Sequence, residues 1–174
     1  QKWKQGGITI FEAESPGQRG ASRRCVGAGS KTAFHTCDRY TGDLLWEVML
    51  TPRSIQGGPW RDSTAAAYNR VYLVSNAINE IDPDYGRVVG LGESVTAALH
   101  AYTGEIVWWS YNRSMNRAPV CVANGVFYQS LYDGSLEAFD AHTGRPLWQS
   151  NLPSTSRVGI VIADGTLHTS NGEG

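Results

Sequence analysis

A short motif, Thr-Gly-x-x-x-Trp, occurs three times in this chain of 174 residues and constrains its fold more than any other feature. The copies run over 41–46, 103–108 and 143–148. Apolar residues alternate around each copy, and Thr-Gly is typical of a tight turn because glycine accepts a positive φ. The motif therefore predicts two antiparallel strands joined by a turn. The residue three positions before the Thr is Asp in two copies and His100 in the other, which we interpret as a local variation of the turn.

The spacing of the copies indicates the size of the repeating unit. Thr103 follows Thr41 by 62 residues and precedes Thr143 by 40, and about 40 residues is the period of a four-stranded propeller blade. One insertion explains the longer interval. A second set of segments supports the same unit, because each reads as two short strands joined by a two-residue turn, and two of them turn at Asn-Gly or Asp-Gly. These segments are 65–75, 120–130 and 160–170.

The repeats predict an all-β fold, namely a β-propeller fragment of about three to four four-stranded antiparallel blades. We expect an incomplete blade over about 1–48, blades over about 62–110 and 117–150, and the start of a further blade over 157–174. Propellers close their ring with about 4 to 8 blades, so the remaining blades are expected to come from outside this chain. The tryptophan that ends each motif is expected to pack between blades, where an indole buries a large area. These residues are Trp46, Trp108 and Trp148.

Composition narrows the classes of partner. The net charge is −1 and 41% of the residues are hydrophobic, which favours neither nucleic-acid binding nor disorder. The sequence has no apolar run near the roughly 18 residues that a membrane-spanning helix needs. We therefore expect no nucleic-acid partner and no membrane span.

Two cysteines lie in a predicted hairpin centred on Lys31. That centre places Cys25 directly opposite Cys37, as the corresponding hairpin two repeats later places Phe127 opposite Phe139. An opposed pair is within reach of a disulfide if its Cβ atoms face each other, and an oxidising compartment would favour the bond. The alternative is a pair of small buried apolar residues.

Blade topology predicts which loops share a face. The turn at Lys31, the insertion 76–94 and the connections between blades emerge at one end of the blades, and the Thr-Gly turns emerge at the other. All the length variation lies at the first end, which we call the loop face. Loops carried on a rigid scaffold are where binding usually resides. The connections are 51–62, 110–117 and 150–157.

The Thr-Gly-x-x-x-Trp repeats resemble those of the pyrroloquinoline-quinone (PQQ) alcohol dehydrogenase superfamily of eight-bladed propellers. Within it, the segment 26–32 and the later Gly57-Gly58-Pro59-Trp60 are similar to the polyvinyl-alcohol-dehydrogenase-like branch. The resemblance covers about residues 24–174. It implies the C-terminal portion of an eight-bladed propeller and a periplasmic or secreted location.

The resemblance also implies two cofactor-binding residues, Lys31 and Trp60. In the family, the lysine at this turn contacts PQQ and a tryptophan of the next connection lies beside it. An ammonium can donate hydrogen bonds to quinone oxygens, and an indole can contact a flat conjugated ring. The family has one more residue between Gly-Gly and Trp than this chain. Its calcium ligands and catalytic aspartate belong to blades before the lysine turn, so Ca²⁺ is implied only for the full-length protein.

Two function classes follow. The first is part of a PQQ-dependent alcohol dehydrogenase, in which PQQ and Ca²⁺ take a hydride from an alcohol substrate and electrons pass to a cytochrome. The second is a non-catalytic propeller that binds proteins through its loop face, as outer-membrane assembly factors of the same repeat class do. Calcium needs about 6 to 8 oxygen ligands, and no carboxylate cluster accompanies Lys31 or Trp60. We therefore expect this fragment alone to be inactive.

Overall fold

The computed structural model describes residues 8–29, 33–50, 64–77, 80–82, 87–89 and 93–170. These residues form sixteen strands, and every strand pair is antiparallel. Within the same ranges there is no helix of the length and apolarity that crossing a bilayer requires. The all-β prediction is confirmed.

The strands group into blades in chain order. Blade 1 contains β1 (Ile8–Glu14), β2 (Ser22–Gly29), β3 (Phe34–Asp38) and β4 (Leu44–Val48). Blade 2 contains β5 (Thr64–Ala67), β6 (Arg70–Ala77), β9 (Glu93–His100) and β10 (Ile106–Asn112), with the inserted hairpin β7 (Glu80–Asp82) and β8 (Arg87–Val89). Blade 3 contains β11 (Cys121–Ala123), β12 (Val126–Ser130), β13 (Ser135–Asp140) and β14 (Pro146–Asn151). The pair β15 (Val161–Ala163) and β16 (Thr166–His168) begins blade 4.

Contacts between sheets show how the blades are arranged. The first strands touch one another in sequence, β1 against β5, β5 against β11, and β11 against β15. The first strand of each blade is therefore the innermost and the fourth the outermost, as in a propeller. The sequence predicts an incomplete blade over about 1–48, whereas the sheet there has four strands.

Tight hairpins join the first two strands of blades 2, 3 and 4. Both turn residues have positive φ in each case, which matches the twist of the flanking strands. The pairs are Tyr68 and Asn69 (53° and 56°), Asn124 and Gly125 (52° and 77°), and Asp164 and Gly165 (48° and 73°). The strands expected within 65–75, 120–130 and 160–170 are confirmed.

The apolar core is divided between the two boundaries of blade 2. One cluster joins blades 1 and 2, and the other joins blades 2 and 3. Trp46 and Trp108 are 9% and 8% exposed at these boundaries. The indole N–H of Trp46 donates to the carbonyl of Ala101 at 3.1 Å, and that of Trp108 to the carbonyl of Ala141 at 3.0 Å. Packing between blades is confirmed for both, whereas Trp148 is 47% exposed.

The register of the β2–β3 hairpin differs from the prediction. Cys25 pairs with Asp38, and Cys37 pairs with Val26. The direct opposition of the two cysteines is therefore wrong, because the interval between the strands, 30–33, has an even number of residues and the hairpin centre falls between two positions. A shift of one residue also turns the two side chains to opposite faces of the sheet. Both thiols are free.

Candidate functional site

The two residues that the resemblance nominates, Lys31 and Trp60, lie outside the described residues. The described part of the loop face includes the β12–β13 turn and the connections on either side of it. These connections run from β10 to β11 and from β14 to β15. They contain side chains that the sequence analysis did not single out.

Backbone hydrogen bonds hold the β12–β13 turn between the two connections. The amide of Tyr132 donates to the carbonyl of Met115 at 2.7 Å, and the carbonyl of Tyr132 accepts from the amide of Ser156 at 3.2 Å. Gly134 has a φ of +93°, and a Cβ there would lie 2.5 Å from the carbonyl oxygen of Ser154. Glycine is therefore required at 134 by both its positive φ and the close carbonyl. The hydrogen bonds on both sides of Tyr132 fix the position of the turn, which we call the clamped turn.

Two exposed arginines lie against the aromatic ring on this turn. The guanidinium carbon of Arg117 is 4.8 Å from the centroid of the Tyr132 ring, and that of Arg157 is 5.4 Å from it. Both distances are within the range of a cation–π interaction. We call Arg117, Tyr132 and Arg157 the arginine–tyrosine cluster. It combines two positive charges with an aromatic surface on a clamped turn.

A repeat signal could have found these arginines. An arginine lies six residues before the last residue of the first strand in blades 2, 3 and 4. The three residues are Arg61, Arg117 and Arg157, and Arg61 lies outside the described residues. The signal is weak within a single blade, and it emerges only when the hairpins are aligned on one another.

A second set of polar side chains lies between blades 2 and 3, and all of them except the half-buried Glu137 are buried. The amide nitrogen of Asn112 donates to Thr96 Oγ1 at 2.8 Å and to Ser94 Oγ at 3.0 Å. The hydroxyl of Thr96 donates to Gln129 Oε1 at 2.7 Å. Gln129 Nε2 donates to Asn112 Oδ1 at 3.0 Å and to Glu137 Oε2 at 2.7 Å. We call these five residues the polar network.

The polar network ends on a carboxylate whose titration is perturbed. Burial raises the pKa of Glu137 above its usual value, and the nearby charge of Asp133 acts in the same direction. The hydrogen bond from Gln129 lowers the pKa, because it favours the ionised form, but burial has the larger effect. A perturbed carboxylate in a cleft is a candidate for function.

The described residues do not provide a calcium site. In the ranges that the structure covers, no three His, Cys, Asp or Glu side chains come together as potential ligands. A calcium ion takes about 6 to 8 oxygen ligands, so this part of the chain does not fit the metal on its own. Contacts to PQQ are implied at Lys31 and Trp60 only.

Solved structures with the same fold include enzymes and an assembly factor. Quinohemoprotein alcohol dehydrogenase from Comamonas testosteroni is 14% identical with a TM-score of 0.72, over 96% of this chain and 34% of that chain. Quinohemoprotein alcohol dehydrogenase ADHIIG from Pseudomonas putida HK5 is 15% identical with a TM-score of 0.69, over 96% and 34%. BamB from Moraxella catarrhalis is 17% identical with a TM-score of 0.63, over 84% and 39%.

Because the identities are between 14% and 17%, these likenesses show a shared fold and nothing more. The chain spans between 34% and 39% of the length of these three proteins. No curated protein matches the sequence. The findings support the PQQ-repeat superfamily as a whole, including quinoprotein dehydrogenases, and do not single out the polyvinyl-alcohol-dehydrogenase-like branch.

A family model gives the assignment. The model described as outer membrane protein assembly factor BamB matches residues 30–171, which is more than four fifths of the chain. The match includes all three Thr-Gly-x-x-x-Trp motifs and both tryptophan contacts between blades. The chain therefore belongs to the PQQ-repeat family whose model is described as outer membrane protein assembly factor BamB.

Proposed function

We propose that this chain is part of a non-catalytic PQQ-repeat propeller that binds a protein partner through its loop face. The observation that carries the proposal is the arginine–tyrosine cluster, Arg117, Tyr132 and Arg157, on a clamped turn. The family model, described as an assembly factor, supports the same class of function. We further propose that the protein acts outside the cytoplasm.

The chemistry of the cluster favours a protein partner with acidic residues. Arginine and tyrosine are enriched among the residues that dominate binding energy at protein interfaces. A guanidinium presents parallel N–H donors that fit a carboxylate. Because backbone hydrogen bonds already hold Tyr132 between the two connections, little conformational entropy is lost when a partner binds.

Site-specific crosslinking in producing cells tests this proposal. A photo-crosslinking residue replaces Arg113, which is exposed on the connection after β10, in the full-length protein. We expect one discrete protein adduct, and we expect the double variant Arg117→Ala, Arg157→Ala to lose it. The control carries the crosslinker at Thr41, in the Thr-Gly turn at the other end of blade 1. Equal adducts from both positions, or an adduct that persists in the double variant, would contradict the proposal.

A quinoprotein alcohol dehydrogenase is the second candidate, favoured by the strand register of blade 1. Gly29 pairs with Phe34, and Phe34 pairs with Val48, so the interval containing Lys31 and the chain leaving β4 start from the same end of the blade. This arrangement supports a common face for Lys31 and the connection that contains Trp60. Under this candidate, both residues contact PQQ.

The chemistry of the second candidate belongs largely to the cofactor. Bound PQQ, with Ca²⁺ held by the full-length protein, would supply hydride acceptance from an alcohol, with a cytochrome as electron acceptor. The ammonium of Lys31 would donate hydrogen bonds to cofactor oxygens, and the indole of Trp60 would contact the conjugated ring. The location would be periplasmic or secreted.

Reconstitution separates the two candidates. PQQ and Ca²⁺ are added to this chain and to a version extended upstream of Gln1, and PQQ binding and dye-linked alcohol oxidation are measured. The second candidate predicts turnover only by the extended form and its loss in Lys31→Ala, with Arg19→Ala as the control. Turnover by the short chain would contradict the assignment of calcium ligands to upstream blades. An extended form without Lys31-dependent PQQ binding would favour the scaffold.

A further inference from the structure

The two boundaries of blade 2 differ in chemistry at equivalent positions. Where the boundary of blades 1 and 2 has apolar side chains, the boundary of blades 2 and 3 has polar ones. Phe34, Val48 and Leu50 correspond to Thr96, Ser110 and Asn112, which lie 62 residues later, and the cross-strand pair Leu73 and Ala97 corresponds to Gln129 and Glu137. The first boundary demonstrates that the fold packs well with apolar residues at these positions.

The hydrogen-bond donors of the polar network are used within the protein. Both N–H groups of Asn112 and both N–H groups of Gln129 have acceptors, as the hydroxyl of Thr96 does. The hydroxyl of Ser94 donates to the carbonyl of Ser114 at 2.7 Å. The network therefore holds the Glu137 carboxylate in place and offers no donor of its own to a ligand. A carboxylate that is not protonated can only accept hydrogen bonds.

Glu137 lies in a cleft of about 360 Å³ between the outer strands of blades 2 and 3. Phe139 and Leu147 contribute apolar surface to the lining, and Ser110 and Gln149 contribute polar groups. Lys, Arg and His are absent from the described residues that line the cleft. The volume is within the range of small-molecule sites, roughly 300 to 1,000 Å³. The cleft thus combines a fixed negative charge with an apolar wall.

We propose that this cleft binds a small ligand that carries a primary ammonium or guanidinium group on an apolar stem, with Glu137 as its counter-ion. The N–H groups of such a ligand donate to the carboxylate alongside Gln129, and its stem packs against Phe139 and Leu147. A cation also offsets the cost of a half-buried negative charge. The site is at the outer edge of the blades, and it is independent of the loop-face function proposed above.

Other ligand classes fit less well. An anion would meet the Glu137 carboxylate without a compensating positive charge in the lining. A neutral alkyl ligand would fill the apolar part, but it would bring no counter-charge and no N–H donor to the carboxylate beyond the one that Gln129 already supplies. Because burial raises the pKa of Glu137, a bound cation is expected to lower that pKa again by stabilising the ionised form.

Titration with simple amines tests the proposal. The probes are n-butylammonium, n-butylguanidinium and the neutral n-butanol, added to the whole chain while backbone amide resonances are followed. We expect both cations to shift the resonances of strands β10, β13 and β14 with saturation. Glu137→Gln, which keeps the side-chain size, is expected to bind the cations at least about tenfold more weakly, or about 1.4 kcal/mol, and to bind n-butanol unchanged.

Glu105→Gln is the matched control, because it removes an exposed carboxylate at a Thr-Gly turn and should leave cation binding unaffected. A second measurement on the unchanged chain needs no variant: acidification from about pH 8 to about pH 4 should weaken binding of the cations, since protonation removes the charge of Glu137. Equal affinity of the Gln variant, shifts that map away from the cleft, or no saturation up to about 10 mM probe would each overturn the proposal.

Discussion

Trp46 and Gly104 are in direct contact across the boundary between blades 1 and 2. A Cβ at Gly104 would lie 2.7 Å from Cδ2 of the Trp46 ring, well inside van der Waals contact. The same contact recurs one blade later, where a Cβ at Gly144 would lie 2.6 Å from Cδ2 of Trp108. The glycine and the tryptophan recur in every copy of the motif, and the tryptophan of one copy thus contacts the glycine of the next copy rather than its own.

The glycine contact predicts unequal effects of one substitution at two motif positions. Gly104 and Gly42 have nearly equal φ, +79° and +77°, but a Cβ at Gly42 meets nothing within 4 Å. Gly42→Ala should cost about 1 kcal/mol for the left-handed conformation. Gly104→Ala should cost a further 1 to 3 kcal/mol or so, because Trp46 must move. Urea denaturation measures the difference, and equal losses would contradict the contact.

The tryptophan hydrogen bond predicts a similar contrast. Trp46→Phe leaves the buried carbonyl of Ala101 without its indole donor, and we expect a loss of about 1 to 3 kcal/mol in the free energy of unfolding. Trp148 is 47% exposed, so Trp148→Phe should change stability by less than about 0.5 kcal/mol. Thermal unfolding of both variants checks the prediction, which fails if the exposed position proves as sensitive as the buried one.

Much of the fold could be predicted from the sequence because the motif repeats. Thr-Gly turns, two-residue hairpins and terminal tryptophans agree on one blade period, and consistent local signals are informative together. The Cys25 and Cys37 register could not be predicted in this way. Moving the centre of a hairpin by half a residue leaves the apolar alternation readable in both registers, and only the length of the loop 30–33 separates them.

The candidate sites depend on contacts between blades, which one motif does not reveal. Arg117 and Arg157 meet Tyr132 because the turn of blade 3 lies between two connections. The position of Glu137 within its own strand, β13, does not indicate a special environment. Its environment is set by Thr96 and Asn112 of the preceding blade, through Gln129. Aligning the repeats on one another, position by position, is the sequence operation that reveals both sets.

The register of β2 and β3 predicts that Cys25 and Cys37 do not form a disulfide with each other. Their side chains lie on opposite faces of the sheet, and a disulfide needs Cβ atoms about 3.5 to 4.5 Å apart and pointing together. After air oxidation, intact mass and thiol titration in denaturant should give three free thiols in the monomer. A tryptic peptide that joins Cys25 to Cys37 would show that the register is wrong.

A single substitution at the blade 2 turn should stabilise the chain. Asp140 Oδ1 accepts from the amides of His142 and Thr143, whereas at the equivalent turn His100 Nδ1 accepts from the amide of Tyr102. His100→Asp should therefore add an acceptor contact and raise the midpoint of thermal unfolding at neutral pH. The reciprocal change Asp140→His should lower it. Opposite signs would show that the two turns are not equivalent.

The free energy of unfolding should depend on pH because of the titration of Glu137. Burial raises its pKa in the folded state, so between the usual carboxyl range near about 4.3 and the raised value the folded state binds more protons than the unfolded state. The free energy of unfolding contributed by this group therefore falls as pH rises through that window and is constant above it.

Urea midpoints measured across the window should show this decline in the unchanged chain and a flatter profile in Glu137→Gln. Glu105→Gln, at an exposed turn, should keep the decline. A profile that Glu137→Gln leaves unaltered would mean that the carboxylate titrates equally in both states, and that burial in the cleft does not raise its pKa.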